Sequence, residues 1–345
     1  MTGAEDSATW AEIMRQPAIW RDWAGPLAGH AASLRDWIGG HDEIWLSGAG
    51  TSAYIGQIVA AGEARLRCLP TTDAVSCPQD WLRREGRILS VQFGRSGDSS
   101  ETVGMLDLLE THRPDISVLG VTCNAEGALA RRGARAIVLP EATHDAGFAM
   151  TSSFTTMLLT ALVCLGAVDA RVLPALADRA ETVLADLASW DVPRPGRAIF
   201  LGSGALIGAA RESALKVLEL TAGRTVTRWD GTLGFRHGPK SAVDADTALF
   251  VSVHPHAHTA RYDRDLLDEL RTQFPASRIT SMGAGCDVGI ETCGEPRADA
   301  VLHVLAAQVL AARWSAALGL DVDDPFGGRR LTRVVSGVTL YPYAP

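Results

Sequence analysis

The 345-residue chain reads as an α/β protein built from two tandem, doubly wound parallel sheets. Three observations predict this. A strand, a Gly-x-Gly turn and a helix are written at Glu43–Gly56 and again at Ala198–Glu212. Each copy is followed by a further apolar strand, Ile88–Phe93 in the first half and Ala248–Val253 in the second. Strand and helix patterns alternate throughout, which gives parallel sheets covered on both faces, with ligands at the carboxyl ends of the strands.

Residues 1–24 form an opening amphipathic helix, with Trp10, Ile13, Met14, Ile19, Trp20 and Trp23 at helical spacing. So much aromatic surface must be buried, against the body of the chain or a second subunit. The first domain is expected at 25–175. After the Gly48-Ala-Gly turn come a helix at Ile58–Leu66, strands at Ile88–Phe93, Ser117–Thr122 and Ala136–Leu139, and a helix at Thr155–Leu165. A linker rich in Pro and Gly follows at Ser189–Gly196. The second domain, at 190–335, holds the repeated turn, strands at Ala248–Val253 and Arg278–Ser281, and a helix at Leu302–Leu318. Residues 336–345 form a tail.

Composition narrows the function. Hydrophobic residues are 47% and charged residues 21%, as in a folded globular chain. A formal charge of −8 argues against nucleic acid or an anionic membrane as partner. The acidic start lacks the pattern of a signal peptide. No apolar run is expected to reach the length of a membrane span, and the longest, Met157–Val168, reads as a buried helix. The six cysteines have no Cys-x-x-Cys pairing, which points to a reducing cytoplasm.

The chemistry-bearing turn follows Ile88–Phe93. It reads Gly94-Arg-Ser-Gly-Asp-Ser-Ser-Glu-Thr102 and leads into a helical pattern. Ser96, Gly97, Ser99 and Thr102 would gather hydroxyls and backbone N–H groups at the positive end of a helix dipole, which suits a phosphate monoester. The same residue types also make a simple N-cap. Gly50, Thr51 and Ser52 fall at the carboxyl end of the preceding strand. Thr151 and Ser152, in the stretch Glu141–Thr155, add hydroxyls at the same end of the first sheet. In the second half Glu212, Lys216 and Glu219 are spaced i, i+4, i+7 and share one helix face. They are a solvated charged stripe or a carboxylate aimed into a cleft as general base. His237, between Phe235 and Gly238-Pro239, is a candidate acid/base. A nicotinamide cofactor is disfavoured, because the turn lacks the third glycine and a following acidic residue. His254-Pro-His-Ala-His258 is a weak metal motif with no carboxylate at matching spacing.

Taken together, Gly48-Ala-Gly-Thr-Ser52, Ser96-Gly-Asp-Ser-Ser-Glu-Thr102, and Glu212-Ser-Ala-Leu-Lys-Val-Leu-Glu219 with the later His237-Gly-Pro resemble the sugar isomerase (SIS) family in its two-domain form. Three further stretches, Arg15–Trp20, Thr143–Ser153 and Gly234–Ser241, are more similar to the galactosamine-6-phosphate deaminase/isomerase branch, also described as tagatose-6-phosphate ketose/aldose isomerase. The isomerase half of glucosamine-6-phosphate synthase is a more distant likeness, and no glutaminase domain is seen.

The resemblance implies that an amino-sugar 6-phosphate, best galactosamine 6-phosphate, becomes tagatose 6-phosphate and ammonia through proton transfer between C1 and C2. It implies no metal and no organic cofactor. Gly50, Thr51, Ser52, Ser96, Gly97, Ser99 and Thr102 would hold the phosphate, with Thr151 and Ser152 beside the substrate. Glu219 matches the base, and His237 the ring-opening histidine lent by a neighbouring subunit, hence a homodimer. Glu212 and Lys216 would sit with them. Arg333 falls where the synthase branch has a lysine, and arginine cannot form a Schiff base. Met150 stands where that branch has a serine. The rival readings are a glucosamine-6-phosphate deaminase, a plain aldose–ketose isomerase, and a sugar-phosphate sensor without catalysis.

Overall fold

The computed structural model of the chain describes residues 3–327 and 331–344. It divides into two compact units. One comprises Asp22–His144, Ser152–Ala170 and Thr332–Pro345; the other comprises Met1–Arg21, Asp145–Thr151 and Arg171–Leu331.

The first of these carries a five-stranded parallel sheet made of β1 (Glu43–Ser47), β2 (Leu66–Cys68), β3 (Ile88–Gly94), β4 (Ser117–Thr122) and β5 (Arg135–Val138), in the order β2-β1-β3-β4-β5. The second carries β6 (Arg197–Gly202), β7 (Val226–Gly231), β8 (Thr247–Ser252), β9 (Arg278–Gly283) and β10 (Val288–Gly289), in the order β10-β9-β8-β6-β7. Counted within each unit these are the same order, 2-1-3-4-5. The strand order therefore reverses in each sheet between its first and third strands, where the carboxyl edge opens a crevice.

The helices are α1 (Ala8–Gly39), α2 (Thr51–Val59), α3 (Thr71–Ser76), α4 (Ser100–His112), α5 (Ala128–Arg132), α6 (Ser152–Cys164), α7 (Val172–Ala188), α8 (Leu206–Leu220), α9 (Ala257–Gln273) and α10 (Pro296–Ala317). The central strands are apolar because both faces are covered; every residue of β8 is buried, and every residue of β3 but Gly94.

The repeat is steric as well as topological. A Cβ at Gly48 would stand 2.6 Å from the Ser52 backbone, and one at Gly202 would stand 2.5 Å from the Leu206 carbonyl oxygen. Gly50 and Gly204 adopt φ of 55° and 58°. Both turns thus require glycine at the same two places, once for close approach and once for a left-handed backbone.

Several expectations are corrected. The opening helix runs on to Gly39, and Ile13 and Trp20 are fully buried by the chain itself. The helix expected at Ile58–Leu66 is α2 followed by β2. Gly50 starts that helix early, and the chain turns at Gly62, with φ of 78°, before Leu66–Cys68 pairs with β1. The helix expected from Leu302 begins at Pro296, where Glu295 caps the first turn. Helix α10 is also long and apolar enough to cross a membrane, contrary to the expectation from single runs, and 83% of its apolar window is buried inside the protein. The cysteines are unpaired thiols, Cys123 and Cys164 buried and Cys77 exposed.

Candidate active site

In the β1–β5 unit two turns meet the carboxyl edge on either side of the point where strand order reverses. Thr51 and Ser52 open α2 and are buried. Ser99 is the N-cap of α4: its Oγ accepts from the Thr102 N–H at 3.4 Å and lies 2.7 Å from Thr102 Oγ1. The N-cap reading is therefore correct for this pair, and it leaves the turn's hydroxyls gathered at a helix N-terminus.

The loop is fixed from below. The Ser96 Oγ accepts from the Asp98 N–H (3.2 Å), the Asn124 side chain donates to the Ser96 carbonyl (3.0 Å), and the Leu129 N–H donates to the Gly97 carbonyl (3.1 Å). Arg95, the turn's one cation, is buried, and its guanidinium donates to the Arg333 carbonyl at 3.3 Å. The Ser100 N–H donates to the Val335 carbonyl at 3.0 Å, so the carboxy-terminal segment lies across the start of α4. Arg333 is brought to this turn through its backbone, and its residue is exposed.

Ser152 opens α6 in the same unit and is buried. Thr151 belongs to the β6–β10 unit. Its N–H and hydroxyl both donate to Asp145, at 2.9 and 3.1 Å. The same loop is held by Glu12 of α1, whose carboxyl accepts from the Ala146 and Gly147 N–H groups. Burial, with the nearby Asp145 charge second, pushes the Glu12 carboxyl up to about 7. Neither Glu12 nor Asp145 was singled out from the sequence, because a carboxylate's burial is set by what packs on it and not by its neighbours in the chain.

The charged stripe on α8 is not solvated. Glu212 and Lys216 are fully buried, and only Glu219 reaches the surface, with 23% of its side chain exposed. Lys216 Nζ lies 2.5 Å from Glu219 Oε2 and 3.5 Å from Glu212 Oε1. A buried ammonium flanked by two carboxylates is attracted to both and holds the Glu219 oxygen in one place. His237 ends a short helical turn at Gly234–Arg236, is exposed, and its ring makes no hydrogen bond among the described residues. Among the described residues no group of three or more His, Cys, Asp and Glu is placed to hold a metal ion. His254 Nδ1 accepts from the His256 N–H at 3.0 Å.

No protein-family model matches the chain. Full-length relatives do. The chain is 39% identical to an AgaS protein of Streptomyces coelicolor over 98% of its own length and 96% of the relative's. It is 37% identical to the D-galactosamine-6-phosphate deaminase AgaS of Escherichia coli, over 99% and 97%. Among solved structures, tagatose-6-phosphate ketose/aldose isomerase from Escherichia coli superposes with a TM-score of 0.89 at 33% identity, covering 100% of this chain and 99% of that one.

Proposed function

The chain belongs to the AgaS family of D-galactosamine-6-phosphate deaminases, whose SIS-type α/β fold it shares, and we propose that it converts galactosamine 6-phosphate to tagatose 6-phosphate and ammonia. It is an enzyme of the amino-sugar-phosphate isomerase/deaminase class. The observation that carries the reading is the buried Glu212–Lys216–Glu219 run. A run of three charges at the core of a helix is costly unless it serves something, and only its last carboxylate is open to a ligand.

The proposed sequence of steps follows from the groups. The hydroxyls and N–H groups at Gly50–Ser52 and Ser96–Thr102 take the phosphate and so fix the carbon chain. His237 moves a proton between the ring oxygen and O1. Glu219 removes the C2 proton and returns it at C1, passing through an enolamine. The C2 imine that results is hydrolysed by water, and ammonia leaves. Thr151, Ser152, Glu212, Lys216 and Arg333 act as contacting or positioning residues. No metal or organic cofactor enters this sequence.

The reading includes a homodimer, in which His237 serves the partner's substrate; the exposed, unbonded ring supports this. Full activity in a well-behaved monomer would exclude it. It also includes a cytoplasmic location, which the unpaired thiols support; recovery of the native protein from an oxidising compartment with its cysteines paired would exclude that.

The test is ammonia release and ketose 6-phosphate formation, with galactosamine 6-phosphate and glucosamine 6-phosphate side by side. Ammonia from the galacto substrate supports the proposal. Ammonia from the gluco substrate alone moves the chain to the other deaminase. Glu219→Gln should lose most of kcat while still binding sugar phosphate; a variant that keeps its turnover would remove Glu219 from the role of base.

A further inference from the structure

The β6–β10 unit holds a cavity of about 200 Å³ at the carboxyl edge of its own sheet. Val253 follows β8, Gly283 ends β9, and both line it. Ala257, Ala260 and Arg264 enter from the first turns of α9, and Asp299 and His303 from the start of α10. In the shared 2-1-3-4-5 order β8 is the counterpart of β3, and α9 of α4. The cavity therefore occupies, in this unit, the place that the Ser96–Thr102 turn occupies in the other.

The groups lining it are short of acceptors. Asp299 accepts from the Thr292 hydroxyl and from the Cys293 N–H at 2.8 Å. Nearby Asp263 accepts from the Ser203 hydroxyl at 2.6 Å and from the His254 N–H at 2.9 Å. Each carboxylate thus already accepts two hydrogen bonds. The donors are not occupied in this way. Arg264 has no ion pair or hydrogen bond among the described residues, and α9 has no side-chain cap on its first N–H groups. His254 accepts at Nδ1, so its neutral ring carries the proton on Nε2 and can donate there. His303 is 3% exposed, and its Nδ1 has no hydrogen-bond partner among the described residues. A buried ring nitrogen left without a partner is costly, and a ligand or ordered water that bonds it removes the cost; His303 is among the residues that line the cavity. Burial, with His254 second, pushes the His303 ring down to about 4, and burial also lowers His254, so both rings are neutral hydrogen-bonding groups near pH 7.

We propose that this cavity is a second ligand site, separate from the Ser96–Thr102 turn, and that it takes a small tetrahedral oxyanion, either free phosphate or the phosphate of a small monoester. Arg264 supplies the charge, the first turn of α9 supplies N–H groups and dipole, and His254 and His303 supply ring contacts. The volume lies below the roughly 300–1,000 Å³ of drug-sized pockets, which limits the occupant to a phosphate with a few carbon atoms.

The experiment is a titration of inorganic phosphate into the full-length protein labelled with ¹⁵N-histidine, at constant ionic strength, read from the ring nitrogens. The chain has nine histidines; the signals of two are assigned with His254→Gln and His303→Gln. The expected result is a saturable shift of both, retained in Ser99→Ala and needing at least tenfold more phosphate in Arg264→Gln. Arg264 is exposed, so that variant leaves the fold intact. Repeating the titration with sugar phosphates separates a monoester from free phosphate as the preferred occupant. Unmoved His254 and His303 signals in the wild type overturn the site. So does an equal shift in Arg264→Gln, or a shift abolished by Ser99→Ala.

Discussion

Glu12 offers a prediction whose sign and size both follow from the structure. The residue is 2% exposed, its carboxyl accepts from two backbone N–H groups, and its pKa stands at about 7 against an ordinary 4.5. The folded state keeps the proton over a range where the unfolded chain has released it. The stabilisation is fully present below 4.5 and is lost as pH rises to about 7. At about 1.36 kcal/mol per pH unit, the loss is about 3 kcal/mol. Glu12→Gln keeps the shape and a carbonyl acceptor and has no proton to lose. Relative to wild type the variant should therefore gain about 3 kcal/mol between pH 4.5 and pH 8.

His303 works in the opposite direction. Its folded pKa, about 4, lies below the ordinary 6.5, so its contribution is present above 6.5 and is lost as pH falls toward 4. Where the two windows overlap they oppose each other. Glu12→Gln removes one slope and exposes the other. The assay is urea unfolding at pH 5 and pH 8, at one protein concentration, followed by tryptophan fluorescence and circular dichroism. The same stability difference between variant and wild type at both pH values would refute the reasoning.

Other outcomes follow from the same geometry. Ser99→Ala should cost about 1 kcal/mol of stability through the lost cap and raise KM for the sugar phosphate more than it lowers kcat; an unchanged KM would separate the cap from substrate binding. Lys216→Met leaves Glu212 buried beside Glu219 without their ammonium and should destabilise by about 3–5 kcal/mol, measured from the urea midpoint. A midpoint within error of wild type would show that the charges are compensated in another way. Gly48→Ala places a Cβ 2.6 Å from the Ser52 backbone and should cost about 3 kcal/mol or abolish folding. A stable, active Gly48→Ala protein would contradict the close-approach argument.

Much of the fold was legible because each half repeats a strong local signal. Glycine spacing, an apolar strand and a hydroxyl-rich turn are all sequence-local, and each half's first and third strands were expected within a few residues of their positions. What escaped was set by tertiary context. Strand β7, Val226-Thr-Arg-Trp-Asp-Gly231, is an edge strand with exposed Val226 and Trp229, so it shows neither alternation nor an apolar run. Strand β10 has two residues and no pattern to read. At the candidate site the residue types were visible, yet the spacing of Glu212, Lys216 and Glu219 fits a wet stripe as well as a dry one. Only the packing around α8 shows that two of the three are buried.

The duplication shows what a backbone decides and what side chains decide. Both Gly-x-Gly turns obey one steric rule, at Gly48 and Gly50 and at Gly202 and Gly204. The residues that follow then part company. The first turn continues with Thr51-Ser52 and offers hydroxyls at a helix start; the second continues with Ala205-Leu206 and offers none. Its one hydroxyl, Ser203, is already tied to Asp263 and Thr232. An anion at the second carboxyl edge cannot be held by the turn that serves in the first. Its donors have to come from the next strand–helix turn, and that is where His254, Arg264 and the uncapped start of α9 lie. The fold supplies a crevice in each sheet, and the side chains at a handful of positions determine which chemistry each crevice can do.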